Sequence, residues 1–111
     1  MKIVTLSQLP EEGVSHDPGI KKRVMLRNGD LPHITNFSQA TFAPGQTVTP
    51  HAHDDMAEVF FVETGQGIIW IDGEAHTLTD GVCIAVEPGE THELKNTGES
   101  PLVLTYFGVK V

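Results

Sequence analysis

Turn residues interrupt this chain so closely that little besides short strands fits between them. Asn28-Gly29-Asp30, Pro44-Gly45, Thr64-Gly65-Gln66, Asp72-Gly73, Pro88-Gly89 and Thr97-Gly98 fall at short intervals, and the segments they bound show no helical periodicity. The sequence predicts strands at Lys2–Leu6, Lys21–Leu26, Ile34–Phe42, Gln46–His53, Glu58–Glu63, Gly67–Ile71, Ala75–Leu78, Val82–Val86, His92–Asn96 and Leu102–Phe107, with Pro10–Gly19 a loop. Two hairpins are expected: one around Thr64-Gly65-Gln66 and one through Asp72-Gly73, a strong two-residue turn signal. Pro50 removes a ladder donor, so its strand should lie at an edge or bend there. Many short antiparallel strands in a small chain leave exposed edges, which closure into a barrel or jelly roll removes. The expected fold is therefore all-β, a jelly-roll barrel forming one domain over residues 1–111.

Composition narrows the class of function. A net charge of −8 argues against nucleic-acid binding, which needs a basic face. The cluster Lys21, Lys22, Arg23 and Arg27 is read as a solvated or subunit-contacting strand. The single cysteine, Cys83, rules out an intrachain disulfide and is expected to be a small buried hydrophobe in its strand. The first residues contain no apolar segment of signal-peptide length, and no run is long enough to cross a bilayer. A reduced, cytoplasmic setting is the expectation.

The chemistry gathers in Gly45–Gly65, where His51 and His53 stand two apart and Glu58 follows. Residues i and i+2 of a strand share a face, so both imidazoles can close on one ion. A further ligand is needed, and His76, His92 or another carboxylate can supply it. His76 follows the Asp72-Gly73 turn and reads as a surface residue, as do His16 and His33. His92 begins a strand just past Pro88-Gly89.

These two stretches resemble the motifs of the cupins. The first cupin motif is glycine, five residues, His-x-His, three or four residues, Glu, six residues, glycine; Gly45, His51, His53, Glu58 and Gly65 fill it. The second is glycine, five residues, Pro-x-Gly, two residues, His, three residues, Asn; Gly81, Gly89, His92 and Asn96 fill it, with Glu87 at the proline position and Pro88 one place later. The resemblance implies a metal held by His51, His53, Glu58 and His92. Such a set suits a divalent transition metal (Mn, Fe, Co, Ni, Cu or Zn) and leaves two adjacent octahedral positions for a chelating ligand, with or without O₂. The remaining formal positive charge favours an anionic ligand.

Strand parity supplies candidate pocket walls: Thr47 and Thr49 from His51, Phe60 and Val62 from Glu58, and Leu94 from His92. Tyr106 on the last strand is a candidate proton donor, and Glu58 a candidate catalytic base. The leading expectation is a metal-dependent enzyme of dioxygenase type acting on a small oxygen-chelating or anionic substrate. A Lewis-acid isomerase, lyase or cyclase, and a non-catalytic metal or ligand-binding module, are the alternatives. Small cupins commonly pair through their first strands, so a homodimer is expected with Lys2–Leu6 or Lys21–Leu26 at the contact.

Overall fold

The computed structural model describes residues 1–15 and 17–111, so the expectation for His16 lies outside the described residues. After a short 3-10 turn at Leu6–Gln8, ten strands follow: β1 (Glu12–Val14), β2 (Asp17–Arg27), β3 (Ile34–Phe42), β4 (Thr47–His51), β5 (Met56–Thr64), β6 (Gly67–Ile71), β7 (Glu74–Leu78), β8 (Cys83–Val86), β9 (His92–Asn96) and β10 (Leu102–Lys110). They form two antiparallel sheets, one in the order β1-β2-β3-β10-β5-β8 and the other β4-β9-β6-β7. The all-β jelly roll expected from the turn spacing is the fold. Among the described residues no helix is long and apolar enough to cross a membrane.

The inner faces of the two sheets enclose the core. On the six-stranded sheet Phe42, Val62, Leu102 and Leu104 point inward at 3% exposure or less, and Ile69 and Leu94 meet them from the four-stranded sheet. Strand alternation explains the choice: Leu102 and Leu104 are buried while Val103 and Thr105, which alternate with them, are not.

Three expectations about individual strands are overturned. Lys2–Leu6 is no strand, because the ladder position beside β2 is taken by Glu12–Val14, which pairs through Glu12↔Lys22 and Gly13↔Lys21. Pro10–Gly19 is correspondingly not a plain loop. Its turn residues serve a tight hairpin in which the Gly13 backbone runs so near Pro18 that a Cβ would lie 2.8 Å from the Pro18 Cα. The expected hairpin around Thr64-Gly65-Gln66 does not form either. β5 pairs with β10 and β8, whereas β6 pairs with β9 and β7, so the turn carries the chain from one sheet to the other.

Gly65 makes that crossing possible. Its φ is +110°, and a Cβ there would sit 2.7 Å from both the Leu102 Cα and the Pro101 carbonyl oxygen. Backbone cannot retreat as a side-chain tip can. Gly65→Ala is therefore expected to lower stability by about 2–4 kcal/mol, combining a disfavoured φ with a steric clash. A lower denaturation midpoint at unchanged m-value checks it; an unchanged midpoint contradicts it.

Two finer expectations hold. The β6–β7 hairpin closes through Asp72 and Gly73, both at positive φ as a type I′ turn requires. The Pro50 strand is the outer strand of its sheet, and its pairing with β9 slips between Val48 and His51. Cys83 is a correction: it is exposed. β8 closes one edge of the six-stranded sheet, with Cys83 and Ala85 outward and Val86 buried on the opposite face.

Candidate metal centre

Four side chains from three strands and one loop converge at one end of the barrel. His51 ends β4 and His92 begins β9, and the two are cross-strand partners, which sets their rings 4.2 Å apart between centroids. His53 follows just beyond β4, its ring 5.2 Å from that of His51. Glu58 comes from the other sheet, on the inward face of β5 that also carries Phe60 and Val62. Its Oε1 lies 3.1 Å from His92 Nε2 and 3.5 Å from His53 Nε2. One ligand atom from each of the four falls within 4.8 Å of all the others. Glu58 and His92 are 6% and 1% exposed, so a carboxylate and an imidazole have been taken out of water to make this cluster.

The outer ring nitrogens show how the imidazoles are aimed. His51 Nδ1 lies 2.9 Å from the Thr49 carbonyl oxygen, and His92 Nδ1 lies 3.2 Å from that of Glu90. A carbonyl only accepts, so in each ring Nδ1 carries the hydrogen. In the neutral ring the Nε2 lone pair then faces the cluster, the arrangement by which metal-binding histidines are oriented; when His92 is protonated its Nε2 donates to Glu58 Oε1 at 3.1 Å. Three imidazole nitrogens and one carboxylate, preset in this way, fit a first-row divalent ion.

A cavity of about 170 Å³ opens beside the cluster. His51, His53 and Glu58 form one end of its wall. The rest comes from the inner face of the six-stranded sheet, including Lys22, Asn36, Phe42, Phe60, Leu104 and Tyr106, with Val48 and Leu94 opposite.

The cupin domain family matches residues 38–108, well over half the chain, and the span takes in the whole cluster. This chain belongs to the cupins. Among its relatives is the oxalate-binding protein of Thermotoga maritima, 24% identical over 110 residues covering 90% of this chain and 87% of that one. The pectin degradation protein KdgF of Dickeya dadantii is 27% identical over 92 residues, covering 83% of this chain and 80% of the relative. Among solved structures, a predicted oxalate decarboxylase of Thermotoga maritima superposes with a TM-score of 0.91 at 21% identity, covering 99% of this chain and 100% of that one. At that identity the structural likeness speaks for the fold.

Of the pocket residues expected for this cupin, the cavity takes in Phe60, Leu94 and Tyr106 but not Thr47, Thr49 or Val62. Val62 is fully buried in the core. The two threonines are exposed; the Thr47 hydroxyl donates 2.9 Å to the Leu94 carbonyl. Counting by twos back from His51 fails because the β4 register slips between Val48 and His51, which moves Val48 onto the cavity side. Asn36 and Ala40 were not among the candidates, and Lys22 is a correction: expected on a solvated or subunit-contacting strand, it is half-buried and lines the cavity. For Lys22 the signal was present: it alternates with Ile20 and Val24, both buried. His33 and His76 are exposed and apart from the cluster.

The two cross-strand histidines of this cupin titrate in opposite directions. Burial draws His51 below the ordinary imidazole range, and the neighbouring His92 and His53 add to it against the Thr49 carbonyl and Glu58. Burial acts on His92 too, but its hydrogen bond to Glu58, the Glu90 carbonyl and both carboxylates outweigh that and raise it. Tyr106, stacked on Phe60 at 5.5 Å, is pushed up to about 12 chiefly by burial. At neutral pH it is therefore a phenol that can donate a hydrogen bond into the cavity.

Proposed function

We propose that this cupin binds one divalent first-row metal ion through His51, His53, Glu58 and His92 and acts as a metal-dependent enzyme on a small, oxygen-chelating or anionic substrate. The convergence of four ligand atoms within 4.8 Å, beside a cavity, carries this reading. The cavity is smaller than the several hundred Å³ of sites for drug-sized ligands, which points to a compact substrate. The bound ion would supply Lewis acidity and, for a redox-active metal, the oxygen chemistry of a dioxygenase, the reaction type we put first.

The chain's own residues divide the remaining work. Phe60, whose ring lies 5.9 Å from that of His92, and Leu94 keep water away from the reacting end, which strengthens every charge interaction there. Tyr106 offers a neutral O–H to an oxygen of the substrate. Glu58, in contact with two imidazoles, is placed to take a proton from a ligand bound next to it. A second reading is binding without turnover; the name of the Thermotoga oxalate-binding relative favours it and also supports a small carboxylate ligand.

Protein purified without added metal or chelator is expected to carry close to one first-row ion per chain by elemental analysis, and a His51→Ala, His92→Ala double variant close to none. Full metal content in the double variant would overturn the assignment. Oxygen uptake on addition of small organic acids separates the two readings: uptake supports the dioxygenase, and saturable binding without uptake or product supports the binding module.

The reading includes a homodimer. Ile3 is 78% exposed and Val4 and Phe61 are also exposed. Leu26, Phe37, Phe107 and Val59 form one ladder row on the outward face of four adjacent strands. A monomer by light scattering would count against it. The free, exposed thiol of Cys83 supports a reducing, cytoplasmic setting.

A further inference from the structure

Lys22 is out of place for a core position. The inward side chains of β2 are Ile20, Lys22 and Val24, and the first and last are core residues at 2% and 7% exposure. Lys22 pairs with Ala40, which pairs with Leu104, so toward the barrel interior its ladder row is apolar. A half-buried ammonium there gives up hydration that an aliphatic residue would not have to lose. Among the described residues it is also the one lysine or arginine lining the cavity shared with His51, His53 and Glu58.

No direct contact accounts for it. Among the described residues its amine makes no hydrogen bond and no close ion pair. Glu12, its cross-strand neighbour, is held by the Arg27 guanidinium and feels Lys22 only through space. Asp17, the other carboxylate near this wall, lies 3.4 Å from the Thr49 backbone N–H, which donates to it. A cation that faces a small cavity and makes no hydrogen bond among the described residues suits an anion that arrives with the ligand.

The ladder fixes where that anion would lie relative to the cluster. Glu58 is level with Gly108 and, across β10, with Asn36; Lys22 is level with Ala40. The two rows are four residues apart on β3, roughly 13 Å along the strand, and the lysine's four-carbon stem spans part of that gap. Tyr106 stands in the row between them, opposite Ser38.

We propose that Lys22 anchors a second anionic group of the ligand, whose chelating end lies at His51, His53, Glu58 and His92, and that this cupin therefore selects short-chain dicarboxylates. The inference rests on reading the cluster as a metal site, and its test separates the two. Succinate and its monoamide, succinamate, have the same size and differ by one charge. They are titrated calorimetrically into protein carrying the metal found on purification.

Wild type is expected to prefer succinate by about tenfold to a hundredfold, the usual contribution of a charge-assisted hydrogen bond. Lys22→Met is expected to abolish that preference while changing succinamate affinity less than about threefold, with metal content and denaturation midpoint kept; Lys22→Arg is expected to restore most of it. Equal weakening of both ligands in Lys22→Met, or no preference in wild type, would overturn the proposal. Should purified wild type carry no metal, the cluster reading falls, and a Lys22-dependent preference for the dianion in that protein still upholds the anion anchor.

Discussion

Replacing His92 by alanine is expected to weaken metal affinity by more than about a hundredfold and to leave the protein essentially metal-free after purification. Losing an outer-shell partner of a metal ligand already costs roughly tenfold to a hundredfold, and His92 offers a donor atom of its own. It is also the residue that joins the site together: it is the cross-strand partner of His51 and contacts Glu58 on the other sheet. The exposed His76, on β7, is the control, and His76→Ala is expected to keep its metal.

The variant also bears on stability, because among the described residues Glu58 then keeps only His53, at 3.5 Å, as a partner for its buried carboxylate. About 1–3 kcal/mol of destabilisation in the metal-free protein is expected from that loss. Retention of full metal content by His92→Ala would remove this residue from the site.

The same histidine sets the pH dependence of loading. A metal ion competes with a proton for Nε2, and the proton wins more often as pH falls. The affinity of wild type for metal, read by competition with a chelating dye, is expected to fall first as pH drops through the raised His92 value, starting above the ordinary imidazole value of 6.5. His51, shifted downward, is still neutral there and adds to the loss only at lower pH. An affinity that stays level from pH 8 to pH 6 would contradict this.

How far the sequence could be read follows from which signals are local. Alternation and turn residues are local, so β6, β9 and the Asp72-Gly73 hairpin were legible to the residue. Partner choice is not local. Thr64-Gly65-Gln66 looks like a hairpin turn but crosses between sheets, a distinction set by what lies against Gly65, namely Pro101 and Leu102 some forty residues on. Lys2–Leu6 has the composition of a strand, but the ladder position beside β2 goes to Glu12–Val14.

The cluster was legible because motif spacing carries it, and the barrel brings its two halves together. The pocket was legible only where strands kept register. Phe60 and Leu94 came out by parity, while a one-step slip in β4 exchanged the threonines for Val48. Tyr106 could be picked as a polar group on a strand, but its stacking and its raised value depend on packing.

Asn96 shows the same limit from the side of stability, and Asn96→Ala is expected to be the most destabilising single change outside the cluster. Its match to the second motif says nothing of what its side chain touches. In the folded chain it is 1% exposed, and its amide joins three separate segments. Nδ2 donates to the Phe42 carbonyl at the end of β3 and to the Ser100 carbonyl before β10, both at 2.9 Å. Oδ1 accepts from the Gly98 backbone N–H, also at 2.9 Å. Its own main chain exchanges with Gly45 and Gln46 beside β4.

Alanine leaves two carbonyls and one N–H without their partner, at about 1–3 kcal/mol for each group kept from water and less for any that reaches solvent. A total near 3–5 kcal/mol is expected, a large share of what holds a domain of this size together. Asn96→Asp is the sharper probe. A carboxylate still accepts from Gly98 but cannot donate to Phe42 or Ser100, and it sets negative charge against two carbonyl oxygens. Asp is therefore expected to be at least as damaging as Ala at neutral pH, and to improve relative to Ala in acid, where a protonated carboxyl regains one donor. Urea midpoints at pH 7 and pH 5 measure both effects. If Asp is milder than Ala at pH 7, the two donated hydrogen bonds are not what Asn96 contributes.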